Sequence, residues 1–305
     1  MSWLNHADRL PDGIVWGNGR IEADDIDITP KFAGRVAELL VDEGDMVAAG
    51  QVLARMDTRD LDASLRRAEA IIREAQRALD ATSAELVHRQ AQVRLAELEY
   101  DRTEQLARKD FASKQLVDQR RAERDIARAQ VNAGSANVGV AEQTVEAATK
   151  EAERIRIDIA DGVLVAPRDG RVQYRLVNTG EVVPAGAKIF TLLDLSKVYM
   201  TVFLPTKDAG RVVLGAEGRI IVDAYPQWVI PANVTFVAAK SQFTPKSVET
   251  RSERDKLMFR IKVRIDQDLV ARRAAQVRTG LPGVAYVRVD PQLDWPRWLQ
   301  IKVPP

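Results

Sequence analysis

The chain has 305 residues, and its 45 Lys+Arg against 44 Asp+Glu leave a net charge of +1, which speaks against a polyanion-binding protein and gives no sign of a nucleic-acid partner. Cysteine is absent, which removes thiol catalysis, disulfides and Cys-ligated zinc together. His6 and His88 have no ligand partner at a suitable spacing and read as surface or seam residues, and no run approaches the roughly 20 apolar residues of a membrane span.

In chain order, residues 1–20 form an N-terminal segment with no apolar signal-peptide core. The protein is therefore expected either to stay in the cytosol or to depend on an anchor or signal outside this sequence. Next comes half of an internal repeat. Thr29–Val52, TPKFAGRVAELLVDEGDMVAAGQV, recurs as Val165–Lys188, VAPRDGRVQYRLVNTGEVVPAGAK. One constant offset pairs Gly34 with Gly170, Gly44 with Gly180 and Gly50 with Gly186, and aligns Arg35-Val36 with Arg171-Val172. Glycine at fixed points between Val- and Leu-rich stretches predicts short strands joined by tight turns that need positive φ. Two such halves, 21–57 and 161–196, are each too small to close a core and are expected to pair as one split, lipoyl-like β-sandwich.

Between them, 58–160 has helical character. Arg59–Ala107 contains no Gly or Pro and is rich in Ala, Leu, Glu, Arg and Gln, all strong helix formers. A 4-3 seam runs through Leu61, Leu65, Ala68, Ile72, Ala75, Leu79, Thr82 and Leu86, is interrupted at Arg89, and resumes at Val93, Ala96 and Tyr100. A second seam of smaller residues runs from Ala127 through Val131, Gly134, Val138, Ala141, Val145, Ala148, Ala152 and Ile155 to Ile159. Each helix should be about 70 Å long. Only Arg108–Ala112 separates them, so they must fold back as an antiparallel hairpin that packs beside copies of itself.

From 197 to 290, alternating stretches (Lys197–Pro205, Arg219–Tyr225, Val229–Ala239, Met258–Ile265, Val284–Val289) predict a small antiparallel barrel. The tail, 291–305, holds Trp295, Trp298 and four prolines and is expected to lie extended against the barrel or to be disordered. The fold class is thus α+β and multidomain: a split lipoyl-like β-sandwich interrupted by a coiled-coil hairpin, then a β-barrel.

This order, with Ile28–Asp57 and Leu164–Met200 as the two halves, resembles the HlyD-type membrane-fusion proteins, most of all the YbhG-like adaptors. The resemblance implies a non-enzymatic periplasmic adaptor without cofactors, attached to the inner membrane through an anchor outside this sequence. Its implied partners are an inner-membrane transporter, a TolC-type outer-membrane channel and further copies of itself, as a hexamer. FTPKSVET (Phe243–Thr250) and RTGLPGVAYV (Arg278–Val287) resemble the subgroup serving ABC-type exporters; RND and major-facilitator pumps are the alternatives. Arg102, Leu106, Ser113 and Asp118 match the spacing of channel-docking tips in this family. Arg102 and Leu106 share a helical face, offering a donor fork and an apolar knob, and Ser113 is placed to cap the returning helix.

Three rival readings are weaker. A biotin or lipoyl carrier needs an exposed lysine where this chain has Ala23, and Lys31 lies too close to Gly34. A cytosolic coiled-coil scaffold does not explain why the hairpin interrupts a split β-domain. An enzyme would need a site, and there is no GxSxG, P-loop or HExxH. Glu97, Glu99, Asp101 and Glu104 read as a solvated helical face.

Overall fold

The computed structural model describes residues 10–240 and 257–303. His6 and the segment Phe243–Thr250 lie outside the described residues. The chain divides into a helical unit, 56–163, and a β unit formed by the remainder.

The helical unit is a hairpin of α1 (Arg59–Ala107, 49 residues) and α2 (Lys114–Asp161, 48 residues). The apolar 4-3 pattern becomes the contact line. Ala68, Ala75 and Tyr100 of α1 and Ala127, Gly134, Ala152 and Ile155 of α2 are buried, and the other seam positions are half-buried. Small residues let the two backbones approach closely. Ion pairs between the helices, Arg156–Glu69 at 2.8 Å, Arg128–Glu97 at 2.7 Å and Arg120–Glu99 at 3.0 Å, flank the seam. Such exposed pairs contribute little to stability, so they select the register more than they hold the hairpin together. Arg89, where the apolar pattern breaks, lies against Gly134 and donates to the Gln130 carbonyl at 3.3 Å.

The β unit begins with β1 (Ile14–Ile28), β2 (Gly34–Leu39), β3 (Met46–Val47) and β4 (Val52–Met56). After the hairpin come β5 (Val163–Val165), β6 (Gly170–Arg175), β7 (Val182–Val183) and β8 (Phe190–Pro205). A short helix α3 (Thr206–Ala209) leads to β9 (Glu217–Val222), β10 (Ile230–Val237) and β11 (Met258–Ile265), followed by α4 (Gln267–Arg272) and β12 (Pro282–Arg288). β1 and β8 are long antiparallel strands with a register irregularity between Glu22 and Asp24. Their outer halves close a barrel in the order β1-β12-β9-β10-β11-β8, and their inner halves enter the sandwich, where β8 pairs with β6. Met200, Val202, Leu204, Ile220, Ile261, Val263 and Ala285 are fully buried inside the barrel.

The repeat is realised as a crosswise exchange. The Gly44 N–H donates to the Val172 carbonyl at 2.8 Å, and the Gly180 N–H donates to the Val36 carbonyl at 2.8 Å. Likewise Gly50 donates to Ala166 at 2.7 Å and Gly186 to Pro30 at 2.8 Å. Each half's turns are therefore tied to the other half's strands, and neither half alone satisfies the N–H groups of its turn glycines. Val36 and Val172, Val47 and Val183, and Leu53 and Ile189 are buried as equivalent pairs.

One expectation changes. Residues 14–20, read as part of a separate N-terminal segment, belong to β1 and to the barrel wall. Gly17 and Gly19 obscured that strand. Gly19 is required by close approach, since a Cβ there would overlap the Thr201 carbonyl oxygen, and Gly17 is crowded, since a Cβ there would reach Leu204 and Val202 at 3.0 and 3.1 Å. The tail, expected either to lie against the barrel or to be disordered, is packed against the barrel through residue 303. Trp295 and Leu299 are buried with Ile14, Ile221, Val229 and Tyr286, and Lys302 bridges to Val229.

Candidate functional site

The hairpin tip is built by a helix end and a helix start. α1 closes through Arg108 N–H to the Glu104 carbonyl at 3.1 Å and Phe111 N–H to the Leu106 carbonyl at 2.9 Å. Asp110 takes φ 63°, the left-handed conformation that ends many helices and that Asp tolerates better than most residues. Ser113 then stands at the N-cap of α2, its Oγ accepting from the Leu116 N–H at 3.3 Å.

Arg102 and Leu106 lie one turn apart on α1, both exposed, and Arg102 has no ion pair or hydrogen-bond partner among the described residues. Leu106 keeps 42% of its surface in solvent. Asp118 is exposed on the first turns of α2, 3.9 Å from Arg121. No hydrogen bond or ion pair joins these four residues to one another among those described. They are presented separately, on a rigid support.

That support is polar. Tyr100 is buried between the helices, donates to Glu104 at 3.2 Å, and carries the Arg124 guanidinium 4.3 Å over its ring. Arg120 bridges Glu99 at 3.0 Å and Glu123 at 2.8 Å, and its hydrogen bond, followed by that of Gln119, holds the Glu123 carboxyl below the usual range. Phe111 at the turn is 77% exposed, and Leu116 is exposed beside it. Sequence reasoning missed both. The available signal was an aromatic in a helix-to-helix connection too short to bury it.

Of the six glycines singled out as turn residues, four take positive φ: Gly44 at 91°, Gly50 at 81°, Gly180 at 88° and Gly186 at 79°. Gly34 and Gly170 are instead the first residues of β2 and β6. Gly170 is required by packing, since a Cβ there would overlap the Leu193 carbonyl oxygen. Ala23, at the carrier-lysine position, sits in the middle of β1 against the barrel core and not on an exposed hairpin. Among the described residues no three His, Cys, Asp or Glu side chains gather as a metal site, and no helix is long and apolar enough to cross a membrane.

A family model for the CzcB-like, barrel-sandwich hybrid domain matches residues 25–194. A UPF0194 membrane protein of Acidithiobacillus ferridurans is 28% identical over 277 residues, covering 83% of this chain and 82% of that relative. The UPF0194 membrane protein YbhG of Salmonella arizonae is 27% identical over 283 residues, 85% of each chain. Among solved structures, MacA from Actinobacillus actinomycetemcomitans superposes with a TM-score of 0.65 at 19% identity, covering 91% of this chain and 79% of that one. The membrane fusion protein Spr0693 from Streptococcus pneumoniae R6 gives 0.60 at 14% identity, covering 90% and 98%. The likeness to these structures is one of fold. The resemblance read from the repeat and the hairpin is borne out: the chain belongs to the CzcB-like barrel-sandwich hybrid family and has the fold of the membrane-fusion proteins.

Proposed function

We propose that the protein is a periplasmic adaptor of a tripartite efflux or secretion system, bridging an inner-membrane ABC-type exporter to a TolC-type outer-membrane channel as a homo-hexamer. The observation that carries this reading is the tip, where Arg102 and Leu106 point unpaired into solvent above a seam locked by Tyr100 and Arg120. In this reading Leu106 enters an apolar notch between channel helices, Arg102 donates to a carboxylate or carbonyl beside it, and Ser113 and Asp118 fix the start of α2. The relatives named membrane protein, and those named membrane fusion protein, support an inner-membrane setting. The ABC preference rests on the Phe243–Thr250 and Arg278–Val287 segments.

Self-association is supported by apolar stripes that the seam leaves free. Ile126, Ala133, Val140 and Ala147 recur at heptad intervals on α2 and are exposed, as are Val87, Ala91, Leu95 and Leu98 on α1. No bond is made or broken by the adaptor; its work is a sealed path and the mechanical linking of pump to channel.

The test is cysteine crosslinking from the tip to a TolC-type channel in membranes. Arg102→Asp and Leu106→Ser should abolish crosslinking while the far-UV circular dichroism and melting temperature of the purified chain stay unchanged. Undiminished crosslinking in both variants would overturn the tip assignment. Co-purification with an RND or major-facilitator pump in place of an ATPase-driven one would overturn the ABC assignment alone.

A further inference from the structure

The barrel contains a feature that bridging does not use. At the end of the barrel where β9 finishes and β12 starts, a cavity of about 400 Å³ opens, within the range of small-molecule sites. Ile21 and Val198, midway along β1 and β8, and Val222 at the end of β9 line it together with Val270 of α4. One wall is aromatic: Tyr225 and Trp228 stack with their centroids 4.8 Å apart and 20° between planes. Backbone bonds hold that wall in place, from Tyr225 to the Val222 carbonyl at 2.9 Å and from Trp228 to the Tyr225 carbonyl at 3.1 Å.

The lining is also cationic. Arg273 and Arg278 are the charged residues of the lining, which includes no carboxylate. Arg273 donates to Gln276 at 3.3 Å, whereas Arg278 is exposed with no ion pair among the described residues. The rim is fixed from two sides. The Gly280 N–H donates to the Ile21 carbonyl at 2.7 Å, and Arg171 reaches from β6 to the Val277 carbonyl at 2.7 Å. This second bond breaks the symmetry of the repeat. Arg35, the equivalent of Arg171, clips the Gly180 carbonyl within the sandwich at 2.6 Å. A rim held in this way spends little ordering entropy on a ligand.

We propose that this cavity binds a small amphiphilic anion. Its apolar chain or ring lies against Trp228 and Val270, and its carboxylate, sulfonate or phosphate head sits at Arg278 and Arg273. Cationic amphiphiles of the same size are rejected at the rim. The site stands apart from the adaptor reading, and its failure would leave channel docking untouched.

Calorimetric titration of the full chain with decanoate, decanol and decyltrimethylammonium tests the proposal. Decanoate should bind one per chain, at least about tenfold more tightly than the other two, a difference of about 1.4 kcal/mol. Arg278→Glu, at an exposed position, should erase that preference. Leu281→Trp, which fills the cavity from its lining, should abolish decanoate binding. Equal affinity for the three probes, or decanoate binding unaltered by Arg278→Glu, would overturn the proposal even if Leu281→Trp fails to fold. Pre-incubation with phosphatidylglycerol vesicles separates the two sources of such an anion. Lowered decanoate affinity assigns the site to lipid acyl chains, and unchanged affinity assigns it to free amphiphiles.

Discussion

Gly134 and Arg89 meet at the one break in the apolar seam, and the glycine there answers to packing, not to backbone conformation. A Cβ on Gly134 would lie 3.3 Å from both Arg89 Cδ and Leu86 Cδ1, flexible atoms that can yield by tenths of an ångström. Gly134→Ala should therefore be neutral or stabilising by up to about 1 kcal/mol through helix propensity. Gly134→Leu should cost about 1–3 kcal/mol by overpacking; urea unfolding followed by circular dichroism decides both. Gly170 is less forgiving. Its neighbour is the Leu193 carbonyl, which is backbone, so Gly170→Ala should cost about 3 kcal/mol in the same measurement. Glu217 offers a pH test. It accepts from Trp295 at 3.0 Å and pairs with Arg288 at 3.1 Å, and the Trp295 hydrogen bond leads in holding its carboxyl below the usual value. A depressed carboxylate stabilises fully above its unfolded pKa, about 4.3, and loses that contribution as pH falls through the lower folded value. The protection factors of amides around Trp295, with the intrinsic pH dependence of exchange divided out, should fall on acidification below about pH 4 and stay flat from about pH 6 to 8. Glu217→Gln should remove the acid dependence.

Propensity does not fix how two helices of this length pair, and the seam is the hairpin's main stabilising element. Ile155 and Ala152 are packed with Ala68 in a small cluster that Leu65, Ile72 and Ile159 surround. Ile155→Ala should cost about 2–4 kcal/mol, since that cluster cannot collapse onto the missing atoms. Removing the exposed Glu97–Arg128 pair should cost at most about 1 kcal/mol. A double-mutant cycle on that pair, compared with Ile155→Ala in the same denaturant series, measures the ratio. The seam was legible in the sequence because a helix writes its buried face every three or four residues. The tip was legible only in part. The resemblance singled out Arg102 and Leu106, and their shared face follows from i, i+4 spacing, but the exposure of Phe111 depends on where the turn points it, which no periodicity records.

The whole chain behaves as one β unit with a hairpin inserted into it. The Met56 N–H donates to the Gly162 carbonyl at 2.8 Å, so the hairpin returns to the residue beside which it left. Replacing residues 58–161 by a short Gly-Ser turn should leave a β unit that melts cooperatively, with channel crosslinking lost; a loss of the melting transition would show that the sandwich needs the hairpin to fold. Assembly tests the outer stripes. Leu98→Asp and Val140→Asp should leave the hairpin's melting unchanged but reduce oligomers seen by sedimentation with pump and channel present. Persistent monomers of the unaltered chain under those conditions would overturn the hexamer.

The sequence by itself determined what repeats at short range or by duplication. The bounds of α1, the two seams, the turns at Gly44, Gly50, Gly180 and Gly186 and the capping Ser113 all follow from local rules of spacing and backbone conformation. Only the tertiary structure decided what depends on distant partners. Gly17 and Gly19 carry no strand pattern of their own and answer to Thr201 and Leu204, far away in sequence. Trp295 belonged to no pattern until Glu217 and Tyr286 received the tail. Arg35 and Arg171 are identical in the repeat, yet one clips its own sandwich and the other the barrel rim. Periodicity records which face of an element is buried, whereas the partner of that face is set by chain segments far away in sequence.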